Sequence, residues 1–201
     1  MDPKLRRRFL RIAGQVSPQL RAKLRAAGTI GFPEREDKGV AVFLARAVVG
    51  QQLSTHAARS IWARLEAAAT EAGGALHDFF HADNAATLRA CGLSRTKVKA
   101  LAAIRDAHQA RKLSAADLRA MAHPARASHL KQIHGIGPWT CDMLAIFYCR
   151  DADIWPDGDS AAHGTLKRLI GRRKPARVAA LFAPHRSILA LYMWKIAENL
   201  P

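Results

Sequence analysis

Helical periodicity extends over almost the whole chain, and this feature constrains the fold most. Apolar residues recur every three or four positions, and Gly, Pro, Ser and Asp stand at the joints between segments. No alternating apolar run lies between hairpin turns, so no sheet is expected. The sequence therefore predicts an all-α fold. The predicted helices are 17–28, 38–50, 54–73, 83–90, 94–111, 114–122, 124–132, 138–149, 159–171, 175–182 and 185–198.

Many short helices in a chain of 201 residues favour two packed lobes with a cleft between them. The central lobe is expected to cover 38–150. The second lobe is expected to combine 1–37 with 151–201. A site is expected in the cleft.

The charge balance points to a polyanionic partner. The chain has 32 Lys and Arg against 16 Asp and Glu, which gives a net charge of +16. No apolar run approaches the ~18 residues that a membrane helix needs, and no signal peptide is apparent, so a cytoplasmic location without membrane binding is expected. Cys91, Cys141 and Cys149 form no Cys-x-x-Cys pair, which excludes a four-cysteine zinc site or iron–sulfur cluster.

The sharpest local pattern is a glycine turn between two helical segments, at 130–140. Gly135 and Gly137 flank Ile136, and Pro138 opens the next helix. Glycines let the backbone approach another chain closely, and a helix N-terminus presents N–H donors to phosphate. Most turns of this kind merely connect helices, so the turn alone leaves DNA binding open.

Four ordered motifs carry a resemblance to a known family. The segment His-Gly-Ile-Gly-Pro-Trp-Thr (134–140) resembles the hairpin of the 3-methyladenine DNA glycosylase II family, within the helix–hairpin–helix superfamily. The other three matches are Val-Gly-Gln-Gln-Leu-Ser (49–54), Cys-Gly-Leu-Ser-Arg-Thr-Lys-Val-Lys-Ala-Leu (91–101) and Pro-His-Arg-Ser (184–187). The resemblance spans roughly 38–198. It implies an all-α protein with the hairpin at the cleft between two lobes.

The resemblance also implies base excision repair: hydrolysis of the N-glycosidic bond of flipped-out alkylated purines such as 3-methyladenine. The family's catalytic aspartate follows the hairpin by about twenty residues, and Asp159 lies 20 positions after Trp139 (159 − 139). A carboxylate stabilises the cationic sugar of the transition state. Asp159 also fits an ordinary helix N-cap, and Asp157 is the rival carboxylate.

The hairpin helix indicates a monofunctional enzyme without lyase activity. Strand-cleaving relatives carry a nucleophilic lysine at the position that Trp139 occupies here. A tryptophan cannot form a Schiff base. The missing cysteine cluster likewise argues against the iron–sulfur branch of the superfamily.

The resemblance also implies which residues contact the base and which contact the DNA. Trp139, Met143 and Phe182 are candidates for the base pocket, with core packing as the alternative. Asp142 is a further candidate, although its position near a helix start favours a surface acid that compensates the helix dipole. Trp62 and Trp194 are predicted to be core. The candidate DNA contacts are Gly135, Ile136, Gly137, Thr140, Gln51, Gln52, Leu53, Arg95 and Lys97.

Within this set, Gln52 is the expected wedge that fills the gap in the duplex, whereas Arg95 and Lys97 either contact phosphates or stand free. Arg186 is open to pairing with an acid inside the fold. No cofactor is expected to be required, but the resemblance implies a monovalent cation, Na⁺ or K⁺, on the carbonyls of Lys131, Ile133 and Gly135.

The expected partner is double-stranded DNA with alkylated bases, bound by a monomer near the nucleoid of a bacterial cell. Two other functions stay open at this point. One is a non-catalytic helix–hairpin–helix module, which would not need Asp159. The other is a bifunctional glycosylase for oxidised bases, which Trp139 opposes.

Overall fold

The computed structural model describes residues 1–33 and 38–198. These residues form α-helices and short helical turns, and no strand occurs among them, which confirms the predicted all-α class. The α-helices are α1 (Pro3–Val16), α2 (Pro18–Ala26), α3 (Val40–Gly50), α4 (Thr55–Glu71), α5 (Ala85–Ala90), α6 (Arg95–Gln109), α7 (Ala115–Ala120), α8 (His123–Leu130), α9 (Pro138–Met143), α10 (Ser160–Ile170), α11 (Pro175–Ala180) and α12 (Arg186–Glu198).

Serine side chains begin four of these helices. Each accepts a backbone N–H of the first turn, which supplies a partner for a donor that the helix itself leaves unpaired. The capping serines of α2, α4, α6 and α7 are Ser17, Ser54, Ser94 and Ser114. The predicted starts at Ser17 and Ser54 are therefore confirmed.

Helix α1 was not predicted, although its start carries a recognisable signal. Asp2 caps it by accepting the N–H of Lys4 at 3.2 Å, and Pro3 occupies its first position. Its buried residues follow the helical repeat: Phe9, Ile12, Ala13 and Val16. The apolar repeat is hard to recognise in the sequence because many positively charged residues lie between its members.

The described chain forms two compact units. One combines Met1–Arg35 with Ala145–Pro201, and the other is Glu36–Leu144. The sequence placed this boundary after residue 150. Helix α9 gives way to a π-helical turn at Leu144–Cys149, within the segment predicted as one helix over 138–149. Among the described residues, no helix is both long and apolar enough to cross a bilayer.

The first unit is built around α10 and α12, which pack together, and around the α1–α2 pair. Aromatic rings fill its core. Phe9 lies 4.9 Å from Phe182 and 6.1 Å from Tyr192, measured between ring centroids. All three rings are almost fully buried.

The second unit is organised around α3, which packs against α4, α6 and α9. Helix α3 is apolar on nearly every side, as expected of a helix that neighbours surround. It ends at Gly50, and the turn from Gln51 to Ser54 connects it to α4. This turn and the hairpin at 131–137 lie in the same unit.

Candidate active site

The glycine hairpin connects α8 to α9, as the motif predicts. Gly135 has φ +85°, and a Cβ there would lie 2.3 Å from the Cβ of Ala100 in α6. Glycine is therefore required both by the backbone conformation and by the close approach of α6. Gly137 has an extended conformation and no atom within 4 Å of an added Cβ.

The hairpin presents backbone donors at the start of α9. The N–H groups of Gly137 and Thr140 have no backbone acceptor among the described residues. Ile136 differs: its side chain is buried, and its N–H donates to the carbonyl of Ile133 at 3.1 Å. Gly137 is partly exposed whereas Thr140 is fully buried, so only the Gly137 N–H of these two is accessible to a phosphate oxygen.

Gln51 joins the α3–α4 turn to the hairpin. Its Nε2 donates to Thr140 Oγ1 at 3.0 Å and to the Gly135 carbonyl at 3.4 Å. Thr140 is fully buried, so its hydroxyl is a structural acceptor here. Gln52, with φ +57°, and Leu53 are exposed in the same turn. Gln51 therefore supports the hairpin, whereas Gln52 and Leu53 are exposed and remain candidate DNA contacts.

Lys97 holds the end of α3 rather than standing on the surface. Its Nζ donates to the carbonyls of Val49 at 2.8 Å and Gln51 at 2.9 Å. A cation at the carbonyl end of a helix compensates the helix dipole. Burial lowers the pKa of the Lys97 ammonium. Arg95, two residues earlier, is exposed. These hydrogen bonds favour a positioning role for Lys97. Arg95 remains a candidate phosphate contact.

We expect Lys97→Met to lower the free energy of unfolding by about 1–3 kcal/mol, because the carbonyls of Val49 and Gln51 lose their common donor. Urea denaturation followed by circular dichroism measures the loss. Lys99→Met is the matched control, since Lys99 is exposed two residues away. Equal stability of the two variants would contradict this assignment.

The hairpin helix α9 carries three of the candidate base-pocket residues. Trp139 is half-buried and Met143 is buried one turn later. Asp142 is paired: its Oδ1 lies 3.0 Å from His123 Nε2, at the start of α8. This pairing ties α8 to α9, and the sequence offered no sign of it.

Asp159 caps α10 and is held by a second donor. Its Oδ1 accepts the N–H of Ala162 at 2.7 Å and the indole Nε1–H of Trp194 at 2.9 Å. Only 8% of the residue is exposed. The two N–H donors fix the position of Oδ1 at the N-terminus of α10. Trp194, predicted as core, is instead half-buried against Phe147 and orients the candidate catalytic group.

Asp157, the rival carboxylate, lies in a different environment. It is exposed, and its Oδ1 accepts the indole Nε1–H of Trp155 at 2.8 Å. Water surrounds such a carboxylate and screens its charge, so its effect on a neighbouring cation is smaller. The structure therefore favours Asp159 as the preorganised anion.

The segment before Asp159 is fastened to α12. Arg186 donates from Nε to Asp153 Oδ1 at 2.7 Å and from Nη2 to Oδ2 at 3.0 Å. The Arg186 guanidinium holds the pKa of the Asp153 carboxyl below its usual range. Arg186 thus pairs with an acid inside the fold, which decides the alternative that the sequence left open.

Phe182 lies in the core of its unit. It is 0% exposed, and its ring packs against Phe9. A base can stack only on an accessible aromatic face. The burial favours packing over contact with a base for this residue.

Comparison with known proteins supports the resemblance to DNA glycosylases. No family model matches the chain. Over 170 residues it is 29% identical to DNA-3-methyladenine glycosylase 1 of Schizosaccharomyces pombe, which covers 77% of this chain and 71% of that protein.

Two solved structures share the fold. One is the Schizosaccharomyces pombe 3-methyladenine DNA glycosylase in complex with abasic DNA, with a TM-score of 0.81, 25% identity, and coverage of 96% of this chain and 97% of that one. The other is a DNA-3-methyladenine glycosidase of Bacillus halodurans, with a TM-score of 0.73, 25% identity, and coverage of 92% and 87%. The resemblance that the four motifs predict is thereby confirmed: the chain is similar in sequence and in fold to 3-methyladenine DNA glycosylases.

Proposed function

We propose that this protein is a monofunctional DNA glycosylase that hydrolyses the N-glycosidic bond of alkylated purines, with 3-methyladenine as the leading substrate. The observation that carries the proposal is the buried Asp159 carboxylate, fixed by the N–H groups of Ala162 and Trp194. The similarity to 3-methyladenine glycosylases supports the substrate class. Asp159 is the catalytic residue of the proposal.

The chemistry needs such a preorganised anion. When the bond between the sugar C1′ and the base nitrogen breaks, its electron pair leaves with the base and positive charge grows on the sugar. Asp159 stabilises that charge, and it also orients a water whose oxygen then bonds to C1′ while its proton passes to the Asp159 carboxylate and from there to solvent. Its donors are already in place, so little reorganisation opposes the reaction.

The hairpin turn and the first residues of α9 bind the substrate in this proposal. The partly exposed N–H of Gly137 donates to a phosphate oxygen, and the half-buried Trp139 stacks on the extruded base. Alkylation at a ring nitrogen makes the base cationic, which strengthens its attraction to an aromatic face. Trp139 has no nucleophilic amine, so strand cleavage does not follow base release.

The cation predicted at the hairpin belongs to this proposal as a structural element. The carbonyls of Ile133 and Gly135 each accept one hydrogen bond, from the Ile136 N–H and the Gln51 Nε2. Each oxygen keeps a second lone pair, and oxygen donors suit Na⁺ or K⁺. With Lys131 as a third carbonyl, these residues would hold the ion, which would stiffen the hairpin.

The test is single-turnover reaction with duplex DNA containing 3-methyladenine. We expect release of the free methylated base, together with a strand that stays intact until alkali is added. Nicking without alkali would overturn the monofunctional assignment. Tight duplex binding without any base release would instead identify a non-catalytic DNA-binding module.

A further inference from the structure

Helices α1 and α2 carry an unusual concentration of positive charge. The segment 3–26 contains eight Lys or Arg and no Asp or Glu: Lys4, Arg6, Arg7, Arg8, Arg11, Arg21, Lys23 and Arg25. Neither the proposed base pocket nor the hairpin uses this segment. Mutual repulsion among these side chains opposes folding, so the concentration calls for an explanation.

Two of the cations serve the fold. Arg6 donates to the carbonyl of Arg25, and Arg8 donates to the carbonyl of Ala183. These contacts fasten α1 to α2 and to the segment after α11. They leave the other arginines of the two helices to be explained.

Three arginines converge on an open groove between α1 and α2. Arg7 and Arg11 line it from α1, one helical turn apart, and Arg21 lines it from α2. The groove has a volume of about 460 Å³, and its remaining lining residues are Leu10, Gly14 and Gln15. All three arginines are exposed, and none has a hydrogen-bond or ion-pair partner among residues 1–33 and 38–198.

Gly14 shapes this groove. A Cβ at this position would lie 3.1 Å from Cδ of Arg21. The missing side chain therefore lets the stem of Arg21 rest on the α1 backbone. Its guanidinium is brought into the groove that Arg7 and Arg11 line, which concentrates the charge of two helices at one place.

We propose that the α1–α2 groove binds the phosphodiester backbone of DNA, as a contact separate in sequence from the hairpin. Guanidinium groups offer paired N–H donors that match phosphate oxygens, and the Gln15 amide adds another donor. A protein partner would need apolar anchors at the centre of its interface, and Leu10 is the only large apolar residue lining this groove. A polyanion with closely spaced charges fits the lining better. The contact rests on the proposed function in so far as DNA is the ligand.

The experiment measures binding of an undamaged duplex over a range of salt concentrations. The test variant combines Arg7→Gln, Arg11→Gln and Arg21→Gln. The control combines Lys23→Gln, Arg25→Gln and Lys112→Gln, which removes three exposed charges outside the groove. Glutamine is as good a helix former as arginine, and circular dichroism melting confirms that both variants are folded.

For the groove variant, we expect the slope of log binding constant against log salt concentration to fall in magnitude by about 2–3, since each lost phosphate contact removes about 0.9 from it. Its Kd at ~100 mM salt should rise by at least about tenfold, and the control should change far less. Equal changes in the two variants would overturn the proposal, because net charge would then explain the effect.

A second probe separates nucleic acid from acidic protein. Poly-glutamate is titrated into the same variants. Loss of poly-glutamate binding with unchanged duplex binding would assign the groove to an acidic polypeptide and overturn the proposal. No step depends on base excision, so an inactive wild-type protein that still shows the expected salt slopes would refute the proposed function while supporting the groove.

Discussion

Asp159→Asn is expected to slow base excision by about 100-fold or more while duplex binding persists. The substitution removes the negative charge that meets the developing sugar cation, and single preorganised electrostatic groups contribute effects of this size in enzymes. Asparagine is as good an N-cap as aspartate. Its side-chain oxygen can still accept the N–H of Ala162 and the indole N–H of Trp194, so the fold is retained.

Single-turnover excision of 3-methyladenine measures this effect, and the melting temperature verifies folding. Asp157→Asn is the matched control, because Asp157 is exposed and accepts a tryptophan N–H in the same segment. We expect a much smaller change for the control. Full activity in Asp159→Asn together with a loss in Asp157→Asn would show that the other carboxylate is catalytic.

Gly135→Ala is expected to lower the free energy of unfolding by about 2–5 kcal/mol and to weaken duplex binding. A non-glycine residue at φ +85° costs about 1–2 kcal/mol, and the new methyl group would overlap Ala100 at 2.3 Å. Forcing extra atoms into a packed site adds about 1–3 kcal/mol. The strain displaces the Gly135 carbonyl that Gln51 contacts, so the hairpin loses its shape.

Gly137→Ala tests the same chemical change two residues later. Its φ is −102°, and nothing lies within 4 Å of the added Cβ, so we expect nearly unchanged stability. Thermal melting and duplex-binding measurements on both variants test whether glycine is required at position 135 and not at 137. A melting temperature of Gly135→Ala equal to that of the wild type would contradict the required close approach to α6.

The motifs predicted the candidate residues of the site better than the contacts that support them. The family resemblance and the spacing from the hairpin led to Asp159 as the candidate catalytic residue, and the glycine turn led to the candidate backbone donors. The Trp194 contact to Asp159 spans 35 residues, and the Asp142–His123 pair joins two helices. Hydrogen bonds between distant side chains leave no periodic trace in a sequence. A buried indole N–H does need an acceptor, and that rule was the single available hint for Trp194.

Local sequence patterns were sufficient to predict the all-α class and most helix positions, because capping residues and apolar repeats act through contacts a few residues apart. It also determined the family resemblance, since short motifs keep their order along the chain. Only the tertiary structure showed which charged side chains have hydrogen-bond partners and which line a groove. Lys97 became a cap for α3, Arg186 a partner of Asp153, and Arg7, Arg11 and Arg21 the lining of one groove. These roles depend on which surfaces the packed helices bring together, and one-dimensional spacing does not encode that.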